Sequence, residues 1–184
     1  MNKGIFLDRD GTINIEKDYL HRIEDFEFED GALEALKIFQ DLEYKIIVVT
    51  NQSGIARGYY SEEDLALLND YMIKEAKKEG IEISAVYYCP HHEEKGVGQY
   101  KIKCECRKPN PGMLLKGIEE FKIDPSQSYM VGDRKSDLEA GDRSGIKSIL
   151  VKTGYGKNNS DQLEGKYPVY ENLLAFAQSL TKKD

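Results

Sequence analysis

Two aspartates separated by one residue follow an apolar run near the start of the chain. Asp8 and Asp10 lie in Asp-Arg-Asp-Gly-Thr at residues 8–12, where Gly11 lets the backbone turn sharply after a strand. One carboxylate could attack phosphorus while the other handles protons, which divides the hydrolysis of a phosphate ester into two easier steps. The alternative is an Asx turn that closes a strand. The later motifs favour the chemical interpretation.

A second acidic motif, Gly132-Asp133-x-x-x-Asp137, follows another apolar run. Magnesium prefers octahedral oxygen sites that retain water and bind substrate phosphate. The pattern therefore predicts a Mg²⁺ site made by Asp8, Asp133 and the backbone carbonyl of Asp10. Asp137 is expected to support these ligands from behind or to cap the next helix.

Two further motifs offer groups that bind phosphoryl oxygens. Thr50 ends an apolar run and can donate its hydroxyl hydrogen, and the backbone amides of residues 51–53, Asn51, Gln52 and Ser53, could add more donors. Arg107 and Lys108 precede Pro109 on a restricted segment that enters a helix. Lysine acts as a compact charge and arginine as a planar fork, so the pair suits two different oxyanion groups. The alternative is a solvated basic pair.

The three cysteines of the chain fall within one short segment. Cys89 and His91 form one Cys-x-His pair, and Cys104 and Cys106 form a Cys-x-Cys pair after residues 92–103. Three thiolates and one imidazole are the tetrahedral donor set of a structural Zn²⁺ site. His92 could replace His91, but the matching alternation of the two pairs favours His91. The sequence predicts a zinc loop over residues 89–106.

The elements that must position these groups alternate along the chain. Apolar runs at 4–7, 46–49, 85–88, 129–131 and 148–151 predict buried strands, and helical patterns cover 32–42, 61–79, 111–121 and 136–144. This order predicts a parallel sheet wrapped by helices, in an α/β fold. Ligands bind beyond the carboxyl ends of such strands, where the polar motifs stand. The glycine-rich segments 96–98 and 153–157 fit no phosphate-loop spacing and are predicted to be flexible loops.

Taken in order, these motifs resemble the haloacid dehalogenase (HAD) superfamily of phosphatases over almost the whole chain. Residues 8–14, 49–58, 89–92 and 106–109 are similar to its heptose-bisphosphate phosphatase family. The related histidinol-phosphate phosphatases have a zinc loop shorter than the one formed here by residues 92–103, so the loop length favours the heptose-bisphosphate family. The resemblance implies a doubly wound, mainly parallel, Rossmann-like sheet with a minimal cap. It also implies Mg²⁺-dependent removal of the 7-phosphate of D-glycero-D-manno-heptose 1,7-bisphosphate, in heptose precursor synthesis for lipopolysaccharide or surface glycans.

The resemblance also implies roles for individual residues. Asp8 would be the nucleophile, and Asp10 would first protonate the leaving oxygen and then activate water. Thr50 and Lys108 would stabilise the phosphoryl group. The remaining substrate contacts would come from the loop at Glu16 to Tyr19, from Arg107 on the second phosphate, and from Arg134.

Composition and charge limit the classes of molecule that this protein is expected to bind. The formal net charge of -7 argues against a nucleic-acid surface, which needs clustered lysine and arginine. No basic head with a long apolar run opens the chain, and no apolar run is long enough to span a membrane. We therefore expect one cytoplasmic domain over residues 1–184 that acts as a monomer on a small sugar phosphate. The alternatives are a histidinol-phosphate phosphatase, a nucleic-acid end phosphatase, and a non-catalytic interaction module stabilised by zinc.

Overall fold

The computed structural model describes residues 1–163 and 165–182 of the 184-residue chain. At its centre is one sheet built from Lys3–Leu7 (β1), Tyr44–Asn51 (β2), Ile83–Cys89 (β3), Tyr129–Gly132 (β4), Lys147–Val151 (β5) and Val169–Tyr170 (β6). The strand order is β3-β2-β1-β4-β5-β6, and all neighbouring strands are parallel. This is the order of a doubly wound fold, so the predicted fold class is confirmed.

The described helices are Ala32–Asp41 (α1), Ser53–Ala56 (α2), Glu62–Lys78 (α3), Gly112–Phe121 (α4), Lys135–Arg143 (α5), Gly156–Leu163 (α6) and Leu173–Thr181 (α7). The predicted strands and helices are confirmed with ends shifted by at most two residues. Ser61 caps α3, because its hydroxyl accepts from the Asp64 N–H while the Asp64 side chain accepts from the Ser61 N–H. The sequence did not predict β6, α2, α6 or α7.

Alternate side chains of the central strands pack on opposite faces of the sheet. Ile5 and Leu7 belong to a core that includes side chains of α1, α3 and α7. Phe6 belongs to a second core, which includes side chains of α4 and α5. The sheet is thus covered on both faces, which explains why its strands read as continuous apolar runs.

The chain reverses its winding between β1 and β4, which lie side by side in the middle of the sheet. In doubly wound sheets, ligands bind in the crevice beyond this switch point. Asp8 directly follows β1, and Asp133 directly follows β4. Gly11 has a φ of 83°, a left-handed conformation that favours glycine, and it turns the chain away after Asp8.

Besides the helices, the connections include two long loops, residues 8–31 after β1 and residues 90–111 after β3. Among residues 1–163 and 165–182, no second sheet forms a cap domain over the crevice. Within these residues, none of the helices combines the length and apolar character that a bilayer crossing requires.

Candidate active site

A cavity of about 460 Å³ opens at the carboxyl ends of the strands, beside the switch point. The structure brings to this cavity every residue that the sequence proposed for catalysis or substrate contact. These residues are Asp8, Asp10, Glu16, Tyr19, Thr50, Asn51, Gln52, Ser53, Arg107, Lys108 and Arg134. Its wall also includes residues that the sequence did not single out for substrate contact, among them Arg57, Tyr60 and Tyr155.

Lys108 is a buried cation at the floor of the cavity. Its Nζ lies 2.9 Å from Asp8 Oδ1 and 2.7 Å from Asp137 Oδ1, and it donates to the carbonyl of Val49 at 2.7 Å. These three acceptors match the three hydrogens of an ammonium group. Burial alone would lower the pKa of Lys108, but the carboxylates of Asp137 and Asp8 raise it above the usual lysine value. The lysine therefore stays charged beside Asp8.

Three buried aspartates, Asp8, Asp133 and Asp137, bring carboxylate oxygens within 4.8 Å of one another. Burial and the nearby Asp137 raise the pKa of Asp8 to about 7, although Lys108 opposes the shift. Burial, followed by repulsion from Asp8 and Asp137, also raises the pKa of Asp133 well above its usual value. Crowded carboxylates of this kind are stabilised in their charged form by a divalent cation.

Asp133 presents one free oxygen to this cluster. Its Oδ2 accepts from the Tyr155 N–H at 2.8 Å, whereas its buried Oδ1 has no hydrogen-bond partner in the described part of the chain. Asp137 has both oxygens engaged, with Oδ1 on Lys108 and Oδ2 on the Arg134 N–H at 3.0 Å. Asp137 thus caps α5 and orients Lys108 at the same time. A hard cation fits the donor set of Asp8 and Asp133.

Gln52, just after β2, lines the cavity, but its backbone and side chain make contacts that the sequence did not predict. The Gln52 N–H donates to the Cys89 carbonyl at 2.8 Å, so the expectation that this backbone amide serves the phosphoryl group is wrong. The Gln52 side chain instead donates to Thr50 Oγ1 and to Asp10 Oδ2, each at 2.9 Å. Because Thr50 Oγ1 accepts from Gln52, its own hydrogen is left for another acceptor.

Asn51 holds the segment that carries Lys108. Its side-chain carbonyl accepts from the Lys108 N–H, and its side-chain amide donates to the Lys108 carbonyl, both at 3.0 Å. These two bonds occupy the side-chain amide of Asn51 and connect the end of β2 to the Arg107-Lys108 motif. They fix the position of the Lys108 backbone.

The predicted zinc ligands form one cluster. The Sγ atoms of Cys89, Cys104 and Cys106 lie 3.0 to 3.5 Å apart, and Nδ1 of His91 lies 3.4 Å from Cys106 Sγ and 3.7 Å from Cys89 Sγ. All three cysteines are free thiols. Zn–S bonds of about 2.3 Å in a tetrahedron place sulfurs roughly 3.7 Å apart. A small outward shift of the three sulfurs would therefore give this cluster the geometry of a zinc site.

His92 does not join the cluster. Its Nδ1 accepts from the backbone N–H groups of Glu94 and Lys95 at 3.3 and 3.1 Å. The cluster also reaches the cavity, because Arg107 follows Cys106 and donates from Nη1 to the His91 carbonyl at 3.3 Å. The pKa of Arg107 is lowered, chiefly by burial, while the thiols Cys89 and Cys104 oppose the shift and the cations Arg57 and Arg134 add to it.

The loop after β1 meets the loop after β5 at the cavity mouth. Arg134 lies 3.8 Å from the centre of the Tyr155 ring and pairs with Glu16 at 3.4 Å. The Tyr155 hydroxyl donates to Asp18 Oδ1 at 2.8 Å. The pKa of Glu16 is raised, chiefly by burial and then by the nearby Asp10, although Arg134 opposes the shift.

Residues 153–157 are not the flexible loop that the sequence predicted. Thr153 donates to the Gly11 carbonyl at 2.6 Å, Tyr155 bonds Asp133, and Gly156 begins α6. The glycine at position 154 does not indicate flexibility. It is needed because Gly154 packs between Gly11 and the Asp133 carboxylate, where a Cβ would collide with both. The position of the segment could have indicated its role, because it follows β5 at the edge of the sheet where the carboxyl ends of the strands form the site.

The parallel sheet, with buried aspartates and a buried lysine at its switch point, defines a HAD-like phosphatase. Residues 105–176 match the HAD-hydrolase-like family model. The chain is 51% identical over 155 residues to D-glycero-beta-D-manno-heptose-1,7-bisphosphate 7-phosphatase of Haemophilus influenzae, a match that covers 84% of each chain. It is 43% identical to the Campylobacter jejuni enzyme named for the alpha anomer, over 99% of this chain and 98% of that one.

A solved structure gives the same result. The D,D-heptose 1,7-bisphosphate phosphatase of B. bronchiseptica, complexed with magnesium and phosphate, superposes with a TM-score of 0.88 at 31% identity, over 99% of both chains. The chain belongs to the D-glycero-D-manno-heptose-1,7-bisphosphate 7-phosphatase family.

Proposed function

We propose that this protein removes the 7-phosphate of D-glycero-D-manno-heptose 1,7-bisphosphate in a Mg²⁺-dependent reaction, as its relatives are named to do. The observation that carries the chemistry is the contact of Lys108 with Asp8, a buried carboxylate beside the unpartnered oxygen of Asp133. A nucleophile, a cation for phosphoryl oxygens and donors for a metal ion thus occupy one crevice.

In the first step, an oxygen of Asp8 attacks phosphorus and the bond from phosphorus to the sugar oxygen breaks. Asp10 gives its proton to the departing sugar oxygen, so that an alcohol leaves rather than an alkoxide. As Asp8 reacts, the Lys108 hydrogen that contacts its Oδ1 turns to a phosphoryl oxygen, and the hydroxyl of Thr50 donates to another. The product on the protein is an aspartyl phosphate at Asp8.

In the second step, Asp10, now a carboxylate, takes a proton from a water molecule that attacks the phosphorus of the aspartyl phosphate. The bond between phosphorus and Asp8 breaks, which regenerates the Asp8 carboxylate and releases inorganic phosphate. Asp10 then carries the proton it needs for the next turnover, so one residue serves as acid and base in turn.

The proposed metal ions have different roles. Asp8, Asp133 and the backbone carbonyl of Asp10 would hold Mg²⁺, which offsets the negative charge of the carboxylates and the phosphoryl group. Cys89, His91, Cys104 and Cys106 would hold Zn²⁺. Four protein ligands would fill a tetrahedral site and leave no open position for substrate, so the role of this zinc would be structural.

The cavity mouth suits the rest of a sugar bisphosphate. Arg107 would bind the remaining phosphate with its planar fork. Glu16 and Arg134, with Tyr19 and Ser53, would contact the sugar or its phosphate from the two sides. We further propose that the protein acts as a cytoplasmic monomer in the synthesis of heptose precursors for surface glycans, as a single domain.

The test is phosphate release with Mg²⁺ from both anomers of heptose 1,7-bisphosphate, from histidinol phosphate and from p-nitrophenyl phosphate. The proposal predicts the highest kcat/KM on one heptose anomer, and ³¹P NMR should show that the 1-phosphate remains on the product. A higher kcat/KM on histidinol phosphate would overturn the substrate but keep the chemistry. Release from none of the four would favour a non-catalytic module.

A further inference from the structure

Arg9, which stands between the two aspartates of the first motif, is one of the largest fully buried side chains of the described protein, at 0% exposure. Its guanidinium forms an ion pair with Asp10, at 3.0 Å from Nη2 to each carboxylate oxygen and 3.3 Å from Nε to Oδ1. A buried guanidinium is costly unless its charge and its donors are all matched. The carboxylate of Asp10 matches the charge, but it leaves Nη1 without a partner of its own.

Asn69 supplies that partner. Its Oδ1 accepts from Arg9 Nη1 at 3.0 Å, in a buried contact that spans sixty positions of the sequence. Asn69 lies on the buried face of α3, beside the apolar side chains of Leu65, Leu68 and Met72. A polar residue at such a position is costly unless it is hydrogen-bonded. Within the described residues, the hydrogen bond from Arg9 explains why an asparagine is tolerated at this buried position.

The two oxygens of Asp10 have different surroundings. Oδ1 accepts from Nε and Nη2 of Arg9 and, at 2.9 Å, from the Asn14 side chain. Oδ2 accepts one bond from Arg9, from Nη2 at 3.0 Å, and one from Gln52, whose amide also donates to Thr50 at the cavity wall. Arg9 thus holds both oxygens, Oδ1 is further held by Asn14, and Oδ2 is the oxygen on the side of the cavity.

We propose that Arg9 and Asn69 are positioning residues that hold the Asp10 carboxylate for proton transfer, with α3 as the support. The inference rests on the proposed function in that Asp10 is the proton donor and acceptor there. Neither residue touches substrate. Their effect passes through the placement of Asp10, and misplacement of a catalytic group by about 1 Å can cost on the order of a hundredfold in rate.

The test compares leaving groups. p-Nitrophenolate leaves without a proton, whereas a sugar alkoxide needs one, and kcat/KM covers the steps up to the first departure. Asn69→Leu fits the apolar face of α3 but removes the acceptor. We expect kcat/KM on an alkyl phosphate to fall about 10- to 100-fold and on p-nitrophenyl phosphate less than about threefold. The alkyl substrate is whichever alkyl phosphate the unaltered protein hydrolyses best, so the comparison does not depend on the heptose assignment.

Hydrolysis of the aspartyl phosphate needs Asp10 with either substrate. Asn69→Leu should therefore also release a burst of p-nitrophenolate stoichiometric with enzyme before a slow steady state. Asn69→Asp keeps an acceptor oxygen at the same place and is expected to retain the alkyl-to-aryl ratio. Arg9→Lys keeps the charge without the fork and should lower that ratio as Asn69→Leu does.

Equal losses on both substrates would overturn the proposal, because a general loss of folded protein would act in that way. Unchanged kinetics in Asn69→Leu, with the melting temperature within about 2 °C of the unaltered protein, would overturn it as well. Failure of the heptose assignment leaves this comparison intact, because the leaving-group ratio is measured on the enzyme's own best alkyl substrate.

Discussion

The Tyr155 hydroxyl donates a hydrogen bond to Asp18 across 137 positions of the sequence, at 2.8 Å. The backbone N–H of the same tyrosine donates to Asp133 Oδ2, also at 2.8 Å. One residue therefore connects the loop after β1, which borders the cavity mouth, to a carboxylate of the acidic cluster. Asp18 and Tyr19 both have positive φ values, 46° and 59°, so this loop holds a conformation that needs outside support.

Tyr155→Phe is predicted to weaken substrate binding without altering the chemistry. The substitution removes one hydrogen bond worth about 0.5–1.5 kcal/mol, which corresponds to a rise in KM of about two- to tenfold for the sugar bisphosphate. The kcat/KM on p-nitrophenyl phosphate should change by less than about twofold, because that small substrate does not need the loop. Asp18→Asn is the matched variant. If the double variant showed the product of the two single effects, the two groups would be acting independently.

Gly154→Ala is predicted to damage the proposed magnesium site. An added Cβ there would collide with the Asp133 carboxylate and the Gly11 backbone. Gly80→Ala is the control, because Gly80 also has a left-handed φ, 73°, but has open space around a Cβ. Isothermal titration should show magnesium affinity at least about tenfold weaker in Gly154→Ala and unchanged in Gly80→Ala. Equal affinity in both variants would contradict the placement of the site.

Much of the site could be predicted because buried strands end abruptly in polar residues. The apolar runs before Asp8, Thr50 and Asp133 marked three strand ends, and parallel strands bring their carboxyl ends to one edge. Asp137 could be predicted only as a choice between a helix cap and a supporting group. The structure shows both, because its two oxygens serve α5 and Lys108 separately.

The rest depends on contacts between residues far apart in sequence. Arg9 was given no role from the sequence, and its role follows only from its burial and its contact with Asn69. Tyr155 was missed because glycine-rich composition predicts flexibility without regard to what the glycines pass between. Gln52 was assigned a phosphate-binding backbone amide, whereas the start of the short helix α2 turns that amide toward Cys89.

Magnesium is predicted to stabilise the protein more at high pH than at low pH. The pKa of Asp8 is about 7 in the folded metal-free protein, above its ordinary value of 3.8. Between these values the folded state binds more protons than the unfolded state, so its stability falls as pH rises. Magnesium offsets this loss once Asp8 is deprotonated, and at lower pH it must displace the proton.

Thermal unfolding with and without saturating magnesium tests this pH dependence. The rise in melting temperature should be larger at about pH 8 than at about pH 5. Asp133→Asn is the control, and it should show little rise at either pH. An equal rise at both pH values in the unaltered protein would contradict the predicted direction of the effect.

His91→Ala and His92→Ala are predicted to differ sharply. His91 lies within the thiol cluster, whereas His92 accepts hydrogen bonds from Glu94 and Lys95. His91→Ala should lose bound zinc, measured by mass spectrometry of metals, and should show faster hydrogen exchange over residues 89–108. Its activity should fall about 10- to 100-fold, because Arg107 and Lys108 follow directly after Cys106. Zinc retained by His91→Ala and lost by His92→Ala would reverse the ligand assignment.

The measurement that bears most directly on the proposed reaction is phosphate release by Asp8→Asn with saturating magnesium and heptose 1,7-bisphosphate. The variant keeps the shape of the side chain and removes the nucleophilic carboxylate, so turnover should be abolished while the melting temperature stays close to that of the unaltered protein. In the unaltered protein, mass spectrometry after a rapid quench should place one phosphoryl group on the peptide that contains Asp8. Substantial turnover by the folded Asp8→Asn variant would contradict the assignment of Asp8 as the nucleophile.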